Sequence, residues 1–79
     1  MRDVLNEVQD AFGATFDIDA KSVTLQTSPA DVPDWDSVGH LSLVSTLERA
    51  FGIGLDVEDI MEMETVRDIV RVVQSKLQA

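Results

Sequence analysis

The sequence predicts an all-α fold, a small four-helix bundle of three longer helices and a short third one, with a long loop between the first two. Three observations carry that expectation. Apolar residues recur every three or four positions in three separate stretches, which is the period of a helix with one buried face. The chain has 79 residues and no cysteine, so it is one domain, residues 1–79, near the lower size limit for folding without disulfides or metal. Hydrophobic residues make up 44% of it, yet only three are Phe and one is Trp, so the core has to be mainly aliphatic.

The first helix is expected over residues 2–16. Val4, Val8 and Phe12 stand at i, i+4 and i+8, and Leu5 and Ala11 or Phe16 widen the stripe. Asp3, Glu7 and Asp10 fall on the opposite, solvated face, and Gly13 weakens the last turn. Residues 17–36 show no sustained period and carry Asp, Ser, Thr, Ala and two prolines, so they read as a long loop. Loops of this length in a compact domain are packed down or functional, and Ile18, Val23 and Leu25 can supply the packing. Trp35 is expected to fasten the loop over the end of the bundle, its indole N–H finding a partner; contact with another protein is the weaker alternative.

Pro33 disfavours helix just before it, and Asp36 or Ser37 can cap the helix that follows. That second helix runs from Ser37 to about Phe51. Val38, Leu41, Val44, Leu47 and Phe51 form its stripe, Leu43 and Ala50 can broaden it, and Gly52 and Gly54 end it. Gly39 inside the first turn costs about 1 kcal/mol relative to alanine. Two readings remain open for it: a loose turn, or a small residue that lets a prosthetic arm or a partner approach closely. Asp56 starts a short third helix, with Asp59 three residues on as a weaker capping box and Ile60 and Met61 or Met63 reaching inward. Thr65, answered by Asp68, caps a fourth helix whose stripe is Val66, Ile69, Val70, Val73 and Leu77.

Charge narrows the function. Fifteen acids against six bases leave a net charge of −9, which excludes a nucleic-acid footprint and favours basic protein partners. Between Lys21 and Arg49 there is no Lys or Arg, and Asp31, Asp34 and Asp36 lie in that gap; Asp56, Glu58, Asp59, Glu62 and Glu64 form a second acidic cluster. No apolar run approaches the roughly 18–20 residues that span a bilayer, and the start of the chain lacks signal-peptide features, so a soluble, cytoplasmic monomer is expected.

Ser37 is the residue around which these features gather: an exposed hydroxyl is expected at a helix start, bracketed by acids and by no base. An ester phosphate there would meet unpaired backbone N–H groups and the positive end of the helix dipole. The competing reading is a catalytic Ser37 and His40 pair at i, i+3 on one helix face. It lacks an oxyanion hole, a concave pocket and water exclusion, so no catalytic residue is assigned. One His and no Cys leave no plausible metal site.

Asp36-Ser37-Val38, followed by Leu41, Val44, Leu47 and Phe51, resembles the phosphopantetheine attachment motif and second helix of acyl carrier proteins. Size, acidity and helix order extend the resemblance over nearly the whole chain. It implies a protein that catalyses nothing itself. A phosphopantetheinyl transferase would attach 4′-phosphopantetheine to Ser37, and the arm would hold an acyl group as a thioester for enzymes of a fatty-acid, polyketide or specialised lipid pathway. Asp36, Val38, His40, Leu41, Glu48, Asp56, Glu58 and Asp59 would then form the docking surface for basic patches on acyl-activating, ketosynthase-type or acyltransferase enzymes. His40 is read as a polar residue facing those partners. At the positions where fatty-acid carriers hold acids on the second helix, this chain has Gly39, Ser42, Arg49 and Ala50 and keeps only Glu48. No Gly-Gly precedes Asp36, so an aminoacyl or peptidyl carrier is the alternative, with an unmodified docking module as a third.

Overall fold

The structure is a computed structural model and describes residues 3–78. Asp3 caps the first helix, α1 (Val4–Phe16), by accepting from the Asn6 amide at 3.1 Å. Residue 2, expected to be helical, lies outside the described residues. Val4, Val8, Ala11, Phe12 and Phe16 are buried as the spacing requires. Gly13 does not end α1; Asp17 does, in the left-handed region at φ 55°, its amide donating to the Gly13 carbonyl at 2.9 Å.

The long loop carries two short 3₁₀ turns, Ala20–Ser22 and Pro29–Asp31. It is tied down at both sides: Gln9 Nε2 donates to the Val23 carbonyl at 2.6 Å. The carbonyls of Thr27 and Leu25 accept from the amides of Val66 and Arg67 at 3.0 and 3.2 Å. Loop carbonyls thus satisfy amides that the first turn of a helix leaves without intrahelical partners. Val23 and Val32 are buried, while Ile18 and Leu25 are half-buried.

The second helix, α2 (Ser37–Phe51), has the expected limits, closed by Gly52 at φ 66°. The third, α3 (Val57–Glu62), follows a reciprocal cap between Asp56 and Asp59, each amide donating to the other's carboxylate at 3.0 and 3.1 Å. Thr65 and Asp68 cap the fourth, α4 (Val66–Gln78), in the same reciprocal way. α1 pairs with α2 and with α4, and α3 leans on α4. No described helix is long and apolar enough to cross a membrane.

Two expectations about facing need correction. Val38 and Leu41 are 74% and 60% exposed, and Ala50 is also exposed; the buried face of α2 is Leu43, Val44, Leu47 and Phe51. At 3.6 residues per turn, Leu41 and Val38 lie about 60° and 120° past Val44, beyond the edge of that face. In α4, Val72 is buried, whereas Val70 and Leu77 are only half-buried. Of Met61 and Met63, one of which was expected to reach inward, Met63 is the buried one and Met61 is 73% exposed.

Candidate functional site

Ser37 is the first residue of α2 and is exposed. Asp36 caps the helix: its carboxylate accepts from the Gly39 amide at 2.9 Å, and its carbonyl accepts from the His40 amide at 2.7 Å. The amides of Ser37 and Val38 also belong to the first turn and have no intrahelical acceptor. The sequence put this hydroxyl at the positive end of a helix, and the structure places it there.

Gly39 follows neither of the two readings left open for it. A β-carbon at this position would run into the carbonyl oxygen of Asp34 and lie 2.9 Å from a ring carbon of Phe16. The loop's own backbone occupies the space, so glycine is what lets the loop close against the first turn of α2.

Trp35 is 4% exposed and packs edge-on against Phe12, with centroids 5.0 Å apart. Its Nε1 donates to His40 Nδ1 at 2.9 Å. An indole N–H is only a donor, so Nδ1 has to be the acceptor and the imidazole proton resides on Nε2. Nε2 lies 3.0 Å from the carbonyl oxygen of Ile60 and donates to it. His40 therefore joins loop, α2 and α3, and its half-buried ring is engaged on both sides instead of standing out toward a partner.

Beside Ser37, where no concave pocket was expected, lies an open groove of about 420 Å³. Its floor is formed by the better-buried Trp35, His40, Ile60 and Met63, and its rim by the exposed Asp36, Ser37, Met61 and Pro29. Ile60 enters partly through a backbone carbonyl, which no side-chain pattern reveals, and Pro29 comes from a remote part of the loop.

The acids named from the sequence fall into two groups. Glu48 accepts from the Leu55 amide at 2.9 Å, fixing the approach to α3. Asp56 and Asp59 cap each other, and Asp59 also pairs with Lys76 of α4 at 2.8 Å. That hydrogen bond from Lys76, with a second from the Asp56 backbone, holds the Asp59 carboxyl below its ordinary 3.8; in return Asp59 lifts Lys76 above 10.5. Glu58, Glu62 and Glu64 are exposed around the same short helix. The outer face of α2 near Ser37 is Val38, Leu41, Ser42 and Ser45, all exposed.

The sequence pattern described as "Phosphopantetheine attachment site" matches residues 6–73. The chain belongs to this family of acyl carrier proteins. It is similar to the acyl carrier protein of Treponema denticola, with 34% identity over 76 residues, covering 96% of this chain and 97% of that one. The acyl carrier protein of an Exiguobacterium species is 31% identical over 74 residues, covering 94% of each. The solution structure of the holo acyl carrier protein from Geobacter metallireducens superposes with a TM-score of 0.85 at 29% identity, covering 95% of this chain and 86% of that one. The four-helix bundle of this carrier is therefore the family's fold, and phosphopantetheine is its prosthetic group.

Proposed function

We propose that Ser37 bears the phosphopantetheine arm and that the protein works as a monomeric, cytoplasmic acyl carrier with no catalysis of its own. The observation that carries this reading is the placement of Ser37: an exposed hydroxyl on the first residue of α2, with the orphan amides of that turn beside it and the groove at its flank. A phosphodiester fits there because the helix start tolerates anions and because nothing in the described fold covers the hydroxyl. When bound, the arm supplies a thiol that holds the acyl group as a thioester, chemistry that a chain without cysteine lacks. The residues of the chain do the rest. Asp36 fixes the helix start, Gly39 lets the loop close, and Trp35 and His40 brace the wall of the groove.

The partners this surface suits are a phosphopantetheinyl transferase and acyl-activating, ketosynthase-type or acyltransferase enzymes. Val38 and Leu41 offer them an apolar contact beside Ser37, and the exposed Glu58, with Glu62 and Glu64, offers charge to a basic patch. The deciding experiment is intact mass spectrometry after incubation with coenzyme A and a broad-specificity phosphopantetheinyl transferase. The wild type is expected to gain one phosphopantetheine and Ser37→Ala none, with the thermal transition of the variant unchanged because the side chain is exposed. A folded wild type that gains nothing beside an active control would leave either a carrier served by a dedicated transferase or an unmodified docking module.

A further inference from the structure

The groove beside Ser37 ends on a bridge. α3 leans on α4 and touches α2 less; along that seam the two are joined by His40 Nε2 to the Ile60 carbonyl, 3.0 Å, while Glu48 holds the Leu55 amide, 2.9 Å, in the loop that leads into α3. The first of these lies in the groove floor, and Trp35 Nε1 holds the same imidazole from the other side at 2.9 Å. Beneath it the core is closed: Phe12, Leu43, Leu47 and Val66 have no exposed surface. Outside it the groove is apolar and adaptable, with Met61 and Met63 as its flexible members. At about 420 Å³ it has the size of a small-molecule site.

We propose that His40 is a specificity-determining residue: its bridge from the Trp35 indole to the Ile60 carbonyl bars the seam between α2 and α3, so that a chain carried at Ser37 lies in the open groove over Met61 and Met63 and does not enter the core. The proposal rests on the reading that cargo hangs from Ser37. Its physical basis is directional bonding. A hydrocarbon chain that pushed between α2 and α3 would leave a buried indole N–H and a backbone carbonyl without partners, and an alkyl group offers neither of them a replacement. A chain in the groove disturbs no hydrogen bond and still covers apolar surface. The carrier therefore shelters compact cargo and leaves the far end of a long chain exposed.

The test does not depend on a transferase. The chain has no cysteine, so a Ser37→Cys variant carries one addressable thiol, to which butyl and decyl methanethiosulfonates attach alkyl groups as disulfides. Methyl NMR then reads where each chain lies. With His40 present, both chains are expected to shift Ile60, Met61 and Met63 and to leave Leu43, Leu47 and Val66 in place. Adding His40→Ala is expected to let the decyl chain, and not the butyl, shift Leu43 and Leu47. His40→Gln, whose amide can accept from Trp35 and donate to Ile60, is expected to restore the pattern seen with His40 and guards against a loosened alanine variant. Core shifts from the decyl chain with His40 intact, or an alanine variant whose decyl pattern does not change, would overturn the proposal. Failure of phosphopantetheine transfer in the mass-spectrometric experiment would count against the function and leave this result standing.

Discussion

α2 meets its two neighbours by different physics. Against α1 it makes the most extensive helix pairing of the bundle, with Leu43, Val44, Leu47 and Phe51 buried on its inner face and the Thr15 to Thr46 side-chain hydrogen bond, 3.0 Å, among the described links between them. Against α3 the described links include a single polar tether, from His40 to the Ile60 carbonyl, with Glu48 holding the Leu55 amide just ahead of the helix. Apolar burial is additive and non-directional, so the first interface survives small displacements. A hydrogen bond weakens steeply with angle and distance, so the second holds one geometry or lets go. The groove and the exposed serine sit on the second.

The comparison breaks most visibly at Leu47, which has no exposed surface. Leu47→Ala is expected to cost about 2–5 kcal/mol, a large share of the roughly 4–12 kcal/mol that a chain of this length commands. Urea unfolding should show a lower midpoint with an unchanged slope. A loss below about 1 kcal/mol would show that the α1–α2 interface collapses easily around a void, which the difference argued above does not allow.

A smaller effect tests the loop that closes the α2 side of the groove. Gly39→Ala gains about 1 kcal/mol of helix propensity. Against that, the new methyl meets the Asp34 carbonyl, a backbone atom that cannot rotate aside, and the ring of Phe16. Such overpacking costs about 1–3 kcal/mol, so the variant is expected to be less stable, with the Trp35 fluorescence altered as the loop lifts. Gly54→Ala is the control: nothing lies within 4 Å of a β-carbon there and its φ is not positive, so its stability should stay within about 0.5 kcal/mol of the wild type. Equal effects at the two glycines would remove the loop from the account.

The same contrast explains what the sequence made legible. Caps are local, so Asp56 with Asp59 and Thr65 with Asp68 were readable from a spacing of three, Asp36 was one of two candidate caps for α2, and Gly52 marked its end. The α1 stripe was readable because all of it is used. The outer two residues of the α2 stripe were misplaced because periodicity gives the direction of a face but not its width; Val38 and Leu41 continue the rhythm and yet stand outside it. Gly39 and His40 were misread because both answer to atoms on other segments, the carbonyls of Asp34 and Ile60. Side-chain patterns carry no record of where a distant carbonyl will lie. Trp35 was read correctly as a loop fastener, since a buried indole has to find an acceptor, but its acceptor was the histidine assigned to partners.

The smallest effect concerns the tether of α3 to α4, the Asp59–Lys76 pair. Lys76 holds the folded pKa of Asp59 below its ordinary 3.8, so over that interval the unfolded chain binds the extra proton and stability rises with pH. The contribution is complete above 3.8 and lost as pH falls through the lowered folded value. At the other end, Lys76 is raised above 10.5, so its share is complete below 10.5 and lost as pH climbs past the raised value. Hydrogen exchange of the α3 amides in wild type and Lys76→Met should therefore differ at neutral pH, converge in strong acid, and differ somewhat less in high salt, which partly screens a half-buried pair. A difference that persisted in acid and in salt would assign the role of Lys76 to the packing of its methylene stem. α3 would then be held to α4 by burial, like α1 to α2, and the polar seam would be confined to the side of α3 that faces Ser37.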